Sequence, residues 1–266
     1  MQNIKLTIEY DGTRYCGWQK QKIQGRVLER KRKKPSVQET VESCLQKILK
    51  QKVNLVASGR TDSGVHAFGQ VANFRTASGI FPDKVKSALN GNLPRDIRIS
   101  NAEQVPWGFH SQYSTKSKIY RYLILNQEYK VPFFGRYTYW FKFPLNIKLM
   151  RNAARHLSGR HDFKVFCASG SGVKGTTRNI KQILINPLNI FSANLICIEV
   201  EADGFLYNMV RNIVGTLIDV GRGRFEPDYI KEIIRSKNRA LAGFCVPARG
   251  LYLAKVNYPR KSHTVA

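Results

Sequence analysis

The first part of the chain alternates between strand-like and helix-like patterns of apolar residues. "IKLTIEY" (4–10) places apolar residues at every second position and leads into the turn-forming pair "DG", which predicts a strand followed by a turn. In "PSVQETVESCLQKILK", Ser36 and Glu39 have the spacing of a capping box, and the apolar residues after them recur at helical intervals. Further strands are predicted at 53–58, 69–76 and 96–105, and a further helix at 81–91. The predicted order is β-α-β-β-α-β.

The second part of the chain repeats this order with longer elements. Its predicted strands are 118–126, 178–186, 194–204 and 250–258, and its predicted helices are 146–159 and 205–221. Two such halves predict an α+β fold of two ferredoxin-like, or RRM-like, units. Each unit contributes an antiparallel sheet with helices on one face, and the two sheets together leave a central cleft. The predicted domains are residues 1–106 and 107–266.

The charge of the chain narrows the choice of partner. Against 18 Asp and Glu there are 44 Lys and Arg, a formal net charge of +26. A positive field of this size attracts polyanions, of which nucleic acid is the commonest, so the central cleft is predicted to bind RNA. An anionic membrane surface is the competing partner, but the sequence has no basic amphipathic helix or lipidation signal. The densest basic run, residues 20–34, is either a contact for the phosphate backbone or a solvated loop.

Composition also bears on compartment and cofactors. The apolar content of 42% is enough for a sizeable core, and no apolar run approaches the roughly 18 residues of a membrane span. The amino terminus alternates like a strand instead of showing the apolar block of a signal peptide, so a cytoplasmic protein is predicted. Five cysteines without a CxxC pair predict reduced, mostly buried thiols and neither a disulfide framework nor a zinc site.

The segment "ASGRTDSGVH" (57–66) places a charged pair, Arg60 and Asp62, among turn-forming residues. One interpretation is a surface turn in which Asp62 bonds to its own backbone and Gly64 supplies a positive φ. The other is a functional loop, because the segment falls between two predicted strands and loops held by a sheet often carry chemistry. The composition of this segment by itself favours the turn.

Several separated segments resemble the TruA-type tRNA pseudouridine synthases. They are "YDGTRYCGWQKQ" (10–21), "SGRTDSGVHAFGQVANF", "KIYRYLI", "NMVRNIVG" (208–215) and "GLYLAKVNY", in family order across residues 3–259. The resemblance implies conversion of uridine to pseudouridine in the anticodon stem-loop of tRNA, at positions 38–40. This isomerisation breaks the N1–C1′ bond and rejoins the base through C5, so no metal, redox cofactor or nucleotide is expected. It also implies a homodimer that binds tRNA.

The resemblance gives roles to five residues. Asp62 matches the catalytic aspartate, a nucleophile toward the ribose or the base. Arg211 matches the arginine that pairs with this aspartate and keeps it ionised. Tyr120 matches the tyrosine that stacks on the target base and is a candidate proton acceptor. Arg60 matches a residue that displaces the target nucleotide from its stack, and Leu251 an apolar residue packed against the base.

Some alternatives remain open from the sequence. Tyr120 and Leu251 can also be read as core residues, and Arg211 as an arginine that reaches solvent. Asn208 stands where the family often has histidine, the basic run is longer than the family's turn, and His66 is predicted to be structural. A non-catalytic basic RNA-binding protein on the same scaffold is the alternative function. A metal-dependent nuclease would need two or more convergent carboxylates, and the loop has one.

Overall fold

The computed structural model describes residues 1–20, 34–168, 170 and 175–259. Most of the basic run at 20–34, which the sequence identifies as a candidate RNA contact, therefore lies outside the described residues. The chain forms two compact units. The first unit contains residues 1–116 and the segment that begins at Leu253, and the second contains residues 117–252. The sequence placed the border earlier, after residue 106, and the assignment of two functional halves stays a prediction.

The described residues contain ten strands and five α-helices, which confirms the mixed α+β class. The strands are β1 (Gln2–Tyr10), β2 (Val56–Ala57), β3 (His66–Thr76), β4 (Ile97–Val105), β5 (Ser117–Asn126), β6 (Tyr139–Phe141), β7 (Gly159–Asp162), β8 (Thr177–Ile190), β9 (Ala193–Ala202) and β10 (Leu251–Asn257). The helices are α1 (Val37–Leu49), α2 (Pro82–Asn92), α3 (Ile147–Arg155), α4 (Met209–Gly221) and α5 (Tyr229–Ser236). In the described part of the chain, no helix has the length and apolar character needed to cross a membrane.

The first unit follows the element order expected from its sequence. Its strands lie in the order β4-β1-β3-β10, with β2 also paired to β3, and β1 is antiparallel to both of its neighbours. Helix α1 begins where the capping box predicts, because the Ser36 side chain accepts a hydrogen bond from the Glu39 amide at 3.1 Å. Val37, Val41 and Leu45 then recur on one face of α1 and are fully buried.

Strand β2 is shorter than the predicted strand at 53–58. The amide of Leu55 donates to the Glu42 carboxylate at 3.0 Å, so it does not take part in a strand ladder. Glu42 is itself buried on α1. The chain before Val56 is thus held by a helix side chain, and pairing with β3 begins only at Val56.

The second unit departs from the predicted order. Its strands lie in the order β5-β9-β8-β7, all antiparallel, with β6 parallel to β5. The sequence did not predict β6, β7 or α5, and the ferredoxin-like description of the halves stays a prediction. The helix predicted at 146–159 ends at Arg155, because the next residues form tighter turns, such as the Ser158 amide bonded to the Arg155 carbonyl. Gly159 then begins β7 with a φ of +100°.

Helix α4 is the buried helix of the second unit. The sequence predicts it from residue 205, but it begins at Met209, because Asn208 has a left-handed backbone (φ 58°) that interrupts the helix. Within α4 every residue except Arg211 is buried. At Gly215 the helix meets another segment of backbone so closely that a Cβ there would lie 1.8 Å from the Phe244 carbonyl oxygen. Glycine at this position therefore permits the packing of α4.

The five cysteines are free thiols, as expected. The prediction that most of them are buried is wrong, since all five are partly exposed. Packing still affects some of them, and burial raises the pKa of the Cys197 thiol. Thiols with a raised pKa are poorer nucleophiles at neutral pH.

The close approach at Gly215 can be tested by substitution. We expect Gly215→Ala to lower the free energy of unfolding by about 3 kcal/mol or more, because the added methyl group would overlap a backbone carbonyl. Gly91→Ala is the matched control, since a Cβ at this helical position meets nothing within 4 Å. The control should stabilise the protein by about 0.4–1 kcal/mol. Urea unfolding measures both changes, and equal stability of the two variants would contradict the described packing.

Candidate functional site

Residues 58–65, here called the Asp62 loop, connect β2 to β3. Asp62 is partly exposed in this loop and Arg60 is exposed, so both lie between the strands that the sequence predicted. The Val65 amide donates to the Asp62 carbonyl at 3.1 Å, and Gly64 has a φ of +78°. The local turn expected from the composition is therefore present, and Asp62 is its first residue.

A segment at the end of β1, residues 10–18, anchors the Asp62 loop on both sides of the aspartate. The Trp18 amide donates to the Thr61 carbonyl at 3.0 Å. On the other side, the Ser63 hydroxyl donates to the Tyr15 carbonyl at 3.1 Å. The backbone before and after Asp62 is therefore fixed, which orients a carboxylate with little conformational freedom left in its main chain.

Two further contacts bring the anchoring segment and the loop together. The Tyr10 hydroxyl and the Thr61 Oγ1 are 2.7 Å apart, and both side chains are buried. Gly17 has a φ of +105°, and a Cβ there would lie 2.6 Å from the Thr61 carbonyl oxygen. Only glycine combines this backbone conformation with so close an approach. The two backbones are thus in direct contact beside Asp62.

Gln70 on β3 fixes the other end of the Asp62 loop. Its Oε1 accepts a hydrogen bond from the Ser58 hydroxyl at 2.8 Å, and its Nε2 donates to the Gly59 carbonyl at 2.9 Å. Gln70 and Ser58 are fully buried. Arg60 follows this fixed end directly and is exposed, so its charge is accessible to a polyanion.

His66 has structural contacts. It is buried at the start of β3, and its Nδ1 lies 3.1 Å from the Gly12 amide and 3.1 Å from the Asp11 carboxylate. Nδ1 cannot accept from the amide and donate to the carboxylate at the same time. Because the amide always carries its proton, we assign the acceptor role to Nδ1. His66 thereby ties β3 to the turn that follows β1.

In the second unit, Tyr122 on β5 lies at the centre of the candidate residues. Its hydroxyl donates to the Pro247 carbonyl at 2.8 Å, and its ring leaves no room for a Cβ on Gly250, the residue before Leu251. Burial raises the pKa of Tyr122, and the nearby positive charge of Arg211 partly opposes this shift. Tyr120, two residues earlier on the same face of β5, is 8% exposed. Tyr122 is thus near Arg211, packs against the residue before Leu251 and shares a strand face with Tyr120.

Tyr120 and Leu251 are both close to fully buried. The Tyr120 ring packs edge-on against Phe205, with 4.9 Å between ring centroids. Leu251, the first residue of β10, is 6% exposed. Each side chain thus has the burial of a core residue, and a role in contacting a base remains a prediction.

The guanidinium of Arg211 is held by two acceptors. Its Nε donates to the Val246 carbonyl at 2.7 Å and its Nη1 to the Asn208 side chain at 2.6 Å. The left-handed backbone of Asn208 places this amide oxygen at the first turn of α4. The departure from the family at residue 208 therefore has a structural role, which the sequence did not reveal. An arginine extended into solvent would not have both contacts.

The described residues thus fall into two groups. Arg60 and Asp62 lie in one loop of the first unit, and Tyr120, Arg211 and Leu251 lie in the second. Within residues 1–20, 34–168, 170 and 175–259 there is no cluster of three or more His, Cys, Asp or Glu that could hold a metal ion.

Comparison with known proteins agrees with the family resemblance of the sequence motifs. A family model described as tRNA pseudouridine synthase matches residues 6–114 and 153–259. The two matched segments contain Arg60, Asp62, Arg211 and Leu251, whereas Tyr120 lies between them.

Curated relatives align over nearly the whole chain. A protein named tRNA pseudouridine synthase A 2 from Clostridium perfringens (strain 13 / Type A) is 48% identical over 258 residues, which cover 97% of this chain and 100% of the relative. Proteins named tRNA pseudouridine synthase A from Caldicellulosiruptor saccharolyticus and Thermoanaerobacter sp. (strain X514) are 45% and 43% identical with the same coverage.

The hydrogen bond between Tyr10 and Thr61 gives a test of how the Asp62 loop is anchored. We expect Tyr10→Phe and Thr61→Val each to lower the free energy of unfolding by about 1–2 kcal/mol. Each substitution leaves the hydroxyl of the other residue buried without this hydrogen-bond partner. In the double variant the free energy of unfolding should fall by less than the sum of the two single decreases, and the difference should be about 0.5 kcal/mol or more.

A control separates the coupling between Tyr10 and Thr61 from the general effect of removing a tyrosine hydroxyl. Tyr258→Phe removes a hydroxyl that donates to the Ser111 carbonyl instead, so its effect should add to that of Thr61→Val. Urea unfolding of all variants measures both cycles. Additive effects of Tyr10→Phe and Thr61→Val would show that this contact does not hold the loop.

Proposed function

The chain belongs to the tRNA pseudouridine synthase family, and on that basis we propose that it modifies uridines 38–40 of the tRNA anticodon stem-loop with Asp62 as the nucleophile. The enzyme is an isomerase that converts uridine to pseudouridine in tRNA. The observation that carries the proposal for Asp62 is the position of this carboxylate, partly exposed in a loop whose backbone is fixed on both sides.

The chemistry requires a nucleophile and a means of retaining the detached base. The bond between N1 and C1′ breaks, the uracil turns, and a bond forms between C5 and C1′ while the proton on C5 is lost and N1 gains one. The Asp62 carboxylate adds covalently to the ribose or the base and is released unchanged at the end. A rigid backbone around Asp62 supports this role, because a carboxylate that is already oriented loses little entropy in reaching the reacting atom.

Arg211 is proposed to pair with Asp62. Its guanidinium is already oriented by Val246 and Asn208, which favours a role in positioning over a loose contact with phosphates. A cation paired with a carboxylate keeps that carboxylate ionised and thus nucleophilic.

Tyr120, Leu251 and Arg60 are proposed to contact the target nucleotide. Tyr120 would stack on the base and accept the proton from C5, and Leu251 would pack against the base. Arg60 would help to displace the target nucleotide from the stack of the RNA, and its exposure supports this role.

Charge supports tRNA as the polyanion. The net charge of +26 favours association of the protein with a nucleic acid. We also propose that the enzyme acts in the cytoplasm as a homodimer, as the family resemblance implies.

The role of Asp62 predicts a loss confined to the chemical step. Asp62→Asn should bind tRNA about as well as the parent, because it keeps the size of the side chain and removes a negative charge from a cationic protein. It should form no pseudouridine in a single turnover with saturating enzyme. Asp83→Asn, an exposed change in α2, is the control and should keep full activity.

Pseudouridine mapping in tRNA and a binding titration distinguish the outcomes. A loss of less than about 30-fold in the Asp62→Asn single-turnover rate, about 2 kcal/mol, would make Asp62 a turn residue and not the nucleophile. Absence of pseudouridine with the parent protein would favour a non-catalytic RNA-binding role.

Arg211 should matter for turnover more than for binding. We expect Arg211→Met to lower the single-turnover rate by at least about tenfold with little change in tRNA affinity, because it removes a charge near the carboxylate and two orienting hydrogen bonds. Arg211→Lys keeps the charge but not the planar fork, so partial activity is expected. Arg235→Met, on the exposed side of α5, is the control for loss of one cation. Weak binding with normal turnover of bound tRNA would show that Arg211 contacts phosphate.

A further inference from the structure

Two cationic side chains lie close together beside Tyr120. Lys118 precedes Tyr120 by two residues on β5, so both side chains are on the same face of the strand. The side chain of Arg178 on β8 lies next to Gly204, because a Cβ on Gly204 would be 3.3 Å from the Arg178 Nε. Gly204 is followed by Phe205, the residue whose ring packs against Tyr120. The two cations and the tyrosine therefore belong to one local surface of the second unit.

Lys118 is partly removed from water, and none of the ion pairs among the described residues gives it a compensating negative charge. Burial is the main reason that the pKa of the Lys118 ammonium is lowered to about 8, and the nearby positive charge of Arg178 is the second reason. Throughout the described residues, neither Lys118 nor Arg178 forms an ion pair with an acidic side chain. The hydrogen bonds of Arg178 go to the backbone carbonyls of Gly175 and Thr177, at 3.0 and 2.6 Å.

The acidic residues of this region have other partners. Glu201 on β9 accepts from Ser117 and lies 3.3 Å from Lys181, on the face of the sheet opposite to Lys118. Asp203 accepts a hydrogen bond from the Asn179 amide. A pair of neighbouring cations without an acid is unfavourable, since buried charges in proteins are normally paired. An anion supplied by the substrate would remove this cost.

We propose that Lys118 and Arg178 bind a backbone phosphate of the RNA that flanks the target uridine. This inference rests on the proposed function, in which the target base stacks on Tyr120. Residues two apart on a strand are separated by about 7 Å, a distance that the flexible lysine side chain can adjust to the spacing between a base and its phosphate. A lysine supplies a point charge and an arginine a planar fork, and both are used to bind phosphates.

The role of this phosphate contact is to hold the nucleotide backbone while the base is detached. During the isomerisation no bond joins the uracil to the ribose. The rest of the nucleotide must therefore be kept in place by protein contacts to its ribose and phosphates. Lys118 and Arg178 would supply such a contact on the side of Tyr120. The charge of Lys118 is then neutralised only in the complex with RNA.

Neutral phosphate analogues test the contact directly. The substrate is an anticodon stem-loop RNA that carries one methylphosphonate at a time at the positions around the target uridine. With the parent protein, one of these positions should weaken binding by about tenfold. In Lys118→Met, binding of the unmodified RNA should weaken by a similar factor, and the methylphosphonate at that position should have no further effect.

Salt dependence and conservative variants provide independent readouts. Lys118→Met should lower the slope of log affinity against log salt by about 0.7–0.9, the effect of one phosphate contact. Lys118→Arg should restore both the slope and the sensitivity to the methylphosphonate. Lys181→Met removes an equal charge from the opposite face and should leave the methylphosphonate effect unchanged. Arg178→Met should lose sensitivity at the same phosphate, which gives a second test if Lys118→Met folds poorly.

The outcomes separate this inference from the proposed function. If every methylphosphonate has the same effect on Lys118→Met and Arg178→Met as on the parent, these residues do not bind a phosphate and the inference is wrong. If the parent protein forms no pseudouridine in this stem-loop, the proposed function is wrong, whatever the phosphate data show. Phosphate coupling with an active parent enzyme would support both.

Discussion

The contact between the backbone of residues 10–18 and the Asp62 loop is the constraint on which the candidate site depends. A loop made largely of glycine, serine and threonine has little side-chain bulk with which to hold a shape. Its shape comes instead from hydrogen bonds to the main chain of Trp18 and Tyr15, the second of them donated by the Ser63 hydroxyl, and from the close approach at Gly17. The rigidity of Asp62 is therefore a property of a different part of the sequence. The first strand and its turn matter to the site although they contribute no reacting group to it.

The parts of the fold that the sequence predicts are those governed by local interactions. The capping box at Ser36, the apolar stripe of α1 and the period of the long strands all act over a few residues, and each appears where expected. Strand β2 is different, because the bond between Leu55 and Glu42 joins residues far apart in the sequence. Helix α5 could have been predicted, since Asp228 precedes a helical pattern of isoleucines that includes the buried Ile230 and Ile233.

The site shows the same division between local and distant information. Asp62, Arg60 and Arg211 could be selected as candidates because they stand within segments that resemble a family, and their roles stay predictions. The acceptors that orient Arg211 could not, because Val246 is distant in sequence and the left-handed backbone of Asn208 leaves no pattern in the sequence. Lys118 begins the segment "KIYRYLI", but the finding that no acidic side chain of the described residues pairs with it depends on the contacts that Glu201 and Asp203 make elsewhere. Charge pairing is decided by the fold as a whole, which composition does not reveal.

Strand β10 affects how the first unit can be assembled during synthesis. The part of β10 that begins at Leu253 belongs to the first unit, and β10 lies next to β3. The whole second unit, residues 117–252, separates this part of β10 from β3 in the sequence. The ribosome therefore releases β3 long before β10, and part of the β3 edge has no neighbour until β10 has been synthesised. Unpaired edges favour association with other chains, and pairing across so long a separation is slow. The unit that carries Asp62 therefore cannot be completed before the second unit has been synthesised, and its β3 edge is open to association with other chains in the meantime.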